Sequence, residues 1–228
     1  MPGPDPLDRC YTPKALAQAI VDQLDIRPGD TVLEGAVGSG AFVEALLAAG
    51  ADLWVNDLDP DAAGLRMVAP ERASQADFGQ WDAERPASWP VRFDWIIGNP
   101  PFKRADEHVA VAFRHARRVC FILRSTWYGA GFRADLLNIM IPQRKTLPGP
   151  RPPFRLDRKS PDPAPPLVVD WKVGVPGPAS NRVLKWKDVR APRGASAIAH
   201  KHLVRASQVW AERATELAPV ERPRLEVR

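Results

Sequence analysis

Four polar residues, Glu34, Asp57, Asp77 and Asn99, each close a short apolar run, and they follow one another at intervals of 23, 20 and 22 residues. Each interval is about one strand plus one connecting helix. A chain spaced in this way predicts a mostly parallel sheet with helices on both faces. Its polar tips then stand side by side along the carboxyl edge of the sheet, where such folds bind ligands. The runs are "TVLE", "DLWVND", "ASQADF" and "FDWIIG", and "VCFILRS" reads as a fifth strand. "YTPKALAQAIVDQL" predicts a helix ahead of them, with Thr12 as its cap and Pro13 in its first turn. "AFVEALLAAG", "DPDAAGLRMVA" and "ADEHVAVAFRHARR" supply the intervening helices. Past Trp127, "LLNIMIPQR" and "LVVDWKVGV" read as two more strands, and "SAIAHKHLVRASQVWAERATEL" as a last helix. The expected organisation is a domain over residues 1–176 with a basic, Pro-rich insert at about 142–166, then a basic extension over 177–228 carrying one helix.

Charge divides the chain. Up to Phe102 there are 7 Lys and Arg against 16 Asp and Glu, a net −9, and from Lys103 onward 25 against 11, a net +14. This is either ordinary solvated charge or a second half that faces a polyanion. The stretch "RKTLPGPRPPFRLDRK" holds Arg144, Lys145, Arg151, Arg155 and Arg158 around Phe154. It reads as a nucleic-acid grip or as a solvated loop. No apolar run reaches the roughly 18 residues of a membrane span. "MPGPDPLDRC" lacks the charged-then-apolar pattern of a signal peptide. Cys10 and Cys120 have no metal-ligand spacing, and the four histidines are scattered singly, so no metal is expected. The chain therefore reads as cytoplasmic. Its richness in Ala, Arg and Pro suits a GC-rich bacterial or phage genome.

The chemistry gathers at the polar tips. In "LEGAVGSG", Gly35, Gly38 and Gly40 follow a strand and let the backbone approach a ligand closely. Val43 stands where a dinucleotide fingerprint has its third glycine, so the loop is either an ordinary tight turn or a nucleotide or nucleoside site. Glu34 could face the cationic part of such a ligand. Asp57 could accept both hydroxyls of a ribose, and Asp77 an adenine amine with Phe78 beside the ring. Lys103 and Arg104 read as phosphate contacts or as a polar helix start. Trp127 and Tyr128 read as cleft or core.

In this order, "LEGAVGSGAF", "NDLDP", "ADF" and "GNPPF" resemble the successive motifs of class I S-adenosylmethionine-dependent methyltransferases. "NPPF" is similar to the catalytic motif of amino-methyltransferases, best known in adenine-N6 DNA enzymes of small phage or bacterial type. "YTP" resembles the upstream segment that closes over the methionine end of the cofactor. The likeness covers residues 11 to about 127. It implies a Rossmann-like class I methyltransferase fold with a mostly parallel seven-stranded sheet, and S-adenosyl-L-methionine as cofactor. The implied cofactor contacts come from Tyr11, Thr12 and Pro13, from Glu34, Gly35, Gly38 and Gly40, and from Asp57, Leu58, Asp77 and Phe78. The implied catalytic residues are Asn99, Pro100, Pro101 and Phe102. Asn99 and the Pro100 carbonyl would hold an exocyclic amine, and Phe102 would stack on the target base. The implied partner is nucleic acid, DNA rather than RNA. An RNA base methyltransferase acting on adenine N6 or guanine N2, and a partner subunit that binds nucleic acid without turnover, are the alternatives.

Overall fold

The computed structural model describes residues 10–154, 164–181, 183 and 193–217. Its centre is a seven-stranded sheet in the order β3-β2-β1-β4-β5-β7-β6. The strands are β1 (Thr31–Glu34), β2 (Asp52–Asp57), β3 (Ala73–Gln75), β4 (Phe93–Gly98), β5 (Ala116–Arg124), β6 (Arg144–Thr146) and β7 (Pro166–Lys172). The first five run parallel, and β7 lies antiparallel between β5 and β6. The helices are α1 (Lys14–Val21), α2 (Ala41–Ala48), α3 (Trp81–Glu84), α4 (Ala105–His115), α5 (Ser125–Gly129), α6 (Ala134–Leu137) and α7 (Ala195–Leu217).

Side chains alternate along each strand, which splits the apolar residues into two cores. Trp95 and Ile97 of β4, with Cys120 and Ile122 of β5, pack with α1 and α2 through Ile20, Val21, Phe42 and Leu46. Ile96, with Val119, Phe121 and Leu123, packs on the other face with Val109 and Phe113 of α4 and Leu203 and Trp210 of α7. The helix expected in the 177–228 extension therefore belongs to the core of the main domain.

Several local expectations are corrected. Thr12 does not cap α1; Pro13 holds the cap position with no side-chain hydrogen bond, and Thr12 is buried. The helix expected from "DPDAAGLRMVA" is only a 3₁₀ turn, Ala63–Arg66. The Asp57 carboxylate accepts from the Asp59 N–H and the Asp59 carboxylate from the Asp61 N–H, two successive side-chain turns ahead of it. The strand "ASQADF" stops at Gln75, because the Asp77 side chain accepts from the Gly79 N–H and starts a 3₁₀ turn. α4 ends at His115, whose ring bonds Asp82 and the Val91 carbonyl, so "ARR" opens β5 instead of closing the helix. "LLNIMIPQR" ends α6 and enters a turn, and pairing resumes only at β6. Its short apolar run fits a buried helix end as well as a strand.

Candidate active site

The carboxyl ends of β3, β2, β1 and β4 stand in one row and open onto a cleft of about 830 Å³. Its lining brings together Tyr11, Thr12, Pro13, Gly35, Gly38, Asp57, Leu58, Asp77, Phe78, Asn99, Pro101, Lys103 and Arg104. Residues far apart in sequence thus share one wall, as in the hydrogen bond from Asn99 to the Cys10 carbonyl, 89 positions away.

The glycine loop forms the floor. Gly38 and Gly40 sit at φ +50° and +79°, where side chains are strained. A Cβ on Gly35 would lie 2.9 Å from the Phe78 ring. A Cβ on Gly40 would meet Gly64 and Met67, so this glycine also lets the loop pack closely. Asp57 accepts from the Gly38 N–H at 2.7 Å through Oδ2 and from the Asp59 N–H at 2.9 Å through Oδ1. The Leu58 N–H also bonds this carboxylate. Burial raises the Asp57 pKa and these backbone bonds oppose the rise. Asn56, which the sequence reading passed over, donates its buried amide to the Gly35 and Ala76 carbonyls and ties two loops of the floor together. A polar residue inside an otherwise apolar strand was the available signal.

Glu34 is 2 % exposed and stands behind the cleft wall, not on it. Burial, then the Asp57 charge, raises its pKa well above the ordinary carboxylate range. Its Oε2 has no partner. Asp77 does line the cleft, but Arg104 lies 3.0 Å from its Oδ2 and also bonds Glu107 at 2.7 Å. Arg104 is therefore held by two carboxylates inside the cleft, which corrects its expected role as a phosphate contact. His108 is a cleft residue missed in the sequence. It packs 5.0 Å from the Phe78 ring, and burial, with Arg104 beside it, lowers its pKa to about 3. Only a lone His on a helical face marked it.

At the end of β4, the Asn99 amide donates through Nδ2 to the Cys10 carbonyl at 3.0 Å. Its Oδ1 is closed off from solvent and accepts no hydrogen bond. Pro100 is buried and Pro101 lines the cleft. Phe102 is half-buried beside the cleft: Arg124 lies 4.5 Å over its ring and Phe154 meets it edge-on.

Trp127 and Tyr128 are packing residues. The Trp127 indole donates to Asp106, which also takes two bonds from Arg133 at 2.9 and 2.8 Å. The Tyr128 hydroxyl is buried without a partner, and burial raises its pKa. Of the basic set, Lys103 is exposed on the cleft rim. Arg144 donates to the Gln23 carbonyl, Lys145 lies over the Tyr128 ring, and Arg151 is exposed. Arg155 and Arg158 lie outside the described residues. Among the described residues no His, Cys, Asp and Glu cluster could hold a metal ion, and no helix is long and apolar enough to cross a membrane.

No family model matches the chain. Over 107 residues, 42 % of this chain, it is 32 % identical to the type I restriction enzyme MjaIX methylase subunit of Methanocaldococcus jannaschii, covering 19 % of that protein. Over 56 residues, 24 % of this chain, it is 43 % identical to ribosomal RNA small subunit methyltransferase H of Rhizobium rhizogenes, covering 16 % of it. The chain thus spans less than a fifth of the length of these curated relatives. A crystal structure from Pyrococcus horikoshii, of a protein proposed to be an RNA methyltransferase, superposes with a TM-score of 0.55 at 16 % identity, over 73 % of this chain and 88 % of that one. At that identity the likeness concerns the fold, which is the seven-stranded, mostly parallel, Rossmann-like architecture expected from the sequence.

Proposed function

We propose that the protein transfers the methyl group of S-adenosyl-L-methionine to an exocyclic amine, adenine N6 in DNA. The observation that carries this reading is Asn99. An exocyclic amine on an aromatic ring is a poor nucleophile, because its lone pair is delocalised into the ring. A site has to draw the lone pair out of that plane by accepting from the two N–H bonds. The Cys10 carbonyl accepts one N–H of the Asn99 amide and so orients the side chain, and its Oδ1 accepts no hydrogen bond. An acceptor left buried and unpaired costs about 1–3 kcal/mol, which an incoming amine relieves. The Pro100 carbonyl is the second acceptor, and the paired prolines stiffen both.

The remaining cleft suits the cofactor. The Asp57 carboxylate lines the cleft, where a ribose hydroxyl can donate to it. Gly35 and Gly38 leave room for close approach, and Phe78 and His108 offer ring faces to an adenine. The unpaired Glu34 Oε2 is buried at the end of β1, next to this cleft wall. When bound, the cofactor supplies a methyl group on a positively charged sulfonium. The chain's own contribution is position and electrostatics. Lys103 on the rim is the phosphate contact nearest the site.

The resemblance to a restriction-enzyme methylase subunit supports DNA. The ribosomal RNA methyltransferase among the relatives favours an RNA base as the second reading. Labelled cofactor incubated separately with duplex DNA, ribosomal RNA and protein tests the choice. Label in DNA, recovered as N6-methyl-2′-deoxyadenosine after nuclease and phosphatase digestion, is the expected result. Label only in RNA moves the proposal to the second reading, and a folded protein that binds no cofactor overturns both.

A further inference from the structure

A second cavity, of about 470 Å³, shares Pro13 and Pro153 with the cleft. Its floor is the α1 face of the sheet, where Cys120, Asp170 and Arg144 stand in register across β5, β7 and β6. Leu16, Ala19 and Ile20 of α1 form a wall. Residues 147–153 form the roof, and four of these seven are prolines. Such a stretch is too stiff to fold down onto the floor. The volume falls in the range of sites that enclose small ligands.

The polar groups show what could fill it. Asp170 is 3 % exposed. Its Oδ2 lies 3.2 Å from Arg118 and 3.5 Å from Arg144, whereas its Oδ1 accepts no hydrogen bond. Arg151 adds an exposed cation to the lining. The complement of this set is a flat apolar body with an N–H donor at one end and an anion at the other. A nucleotide has that chemistry: its base lies against proline and leucine, its amine donates to Asp170, and its phosphate meets Arg151.

Resting on the proposed methyltransferase reading, we infer that this cavity is a second base site. It holds the base of a nucleotide that neighbours the methylated adenine in the same DNA strand. Pro13 and Pro153 line both spaces, so the two cavities adjoin, as sites for neighbouring bases of one strand must.

Ala19 and Ala15 are exposed on α1 and line the cavity, so a large side chain at either fills it without entering the core. The test is the affinity of end-labelled single-stranded DNA 12-mers with one adenine, measured by fluorescence anisotropy. Each nucleotide flanking the adenine is replaced in turn by an abasic unit. For the wild type, one flanking position is expected to weaken binding about 10-fold when abasic, roughly 1.4 kcal/mol. Ala19→Trp should bind the intact strand about 10-fold more weakly and be indifferent to the abasic unit at that position, since the same contact cannot be lost twice. Ala15→Trp should behave alike, and cofactor affinity should be unchanged in both. A flat abasic scan, or wild-type affinity in both variants, overturns the second base site while the methyltransferase reading stands. A wild type that binds cofactor but neither DNA nor RNA strands removes the nucleic-acid reading and this site with it.

Discussion

At the scale of single residues, the site depends on polar groups whose partners are partly taken. Asn99→Ala removes an acceptor from the reacting amine and nothing from the cofactor floor. Methyl transfer should fall by about 100-fold or more, as when one preorganised contact to the reacting group is lost. Cofactor affinity, read by calorimetry, should stay within about threefold; an equal loss of both would move Asn99 out of its assigned place. Asp57→Ala should do the reverse and weaken cofactor binding by roughly 1.5–3 kcal/mol, the worth of hydrogen bonds to a charged acceptor. His108 makes a prediction about pH. Burial holds its pKa at about 3, against 6.5 in an unfolded chain. Below 6.5 the unfolded chain takes up a proton that the folded one refuses, so this residue's contribution to stability is lost as pH falls toward 3. Urea unfolding at pH 7 and pH 4.5 should show a smaller loss for His108→Gln than for the wild type, by about 2–3 kcal/mol. Equal losses would mean that the imidazole titrates freely.

At the scale of elements, legibility in the sequence followed how local the cause was. β1, β2, β4, β5 and β7 could be read because each is an apolar run bounded by turn residues. α7 could be read from its length and apolar face. The segment after β2 could not, since its apolar spacing fits a helix and the structure has only a 3₁₀ turn there. The four polar tips were legible as a spacing, but the ion pair between Asp77 and Arg104 was not, because it joins residues 27 positions apart that no local pattern links. The same holds for Asp106 and Arg133. The sequence marks an aromatic ring at the motif, Phe102, but not the Arg124 guanidinium stacked on it. α7 also carries a prediction. Trp210 is 3 % exposed and meets the Phe113 ring at 5.5 Å. Trp210→Ala should cost about 3–5 kcal/mol in denaturant unfolding, the usual range for emptying a large aromatic site. A cost below 1 kcal/mol would mean that α7 is not part of the folded core.

At the scale of the whole molecule, the split of charge is the property to test. The acidic half carries the proposed cofactor floor, and the basic half, net +14, carries Arg144, Lys145 and Arg151. Binding to duplex DNA should weaken steeply with salt, with a log–log slope of about −0.9 per phosphate neutralised. Replacing Arg151, Arg155 and Arg158 together by Ala should flatten that slope by as much as about 2.7 and leave cofactor affinity alone. An unchanged slope would move the grip elsewhere on the basic half. The sheet itself limits how this molecule can associate with others. β3 and β6, the two outermost strands, are three residues long, and β6 presents Arg144 and Lys145. Such short, charged margins give another chain little backbone to extend, which guards against runaway fibre growth. A protein companion must therefore recognise this molecule through side chains on its faces or loops, and variants that disturb such a companion should map there and not to the margins of the sheet.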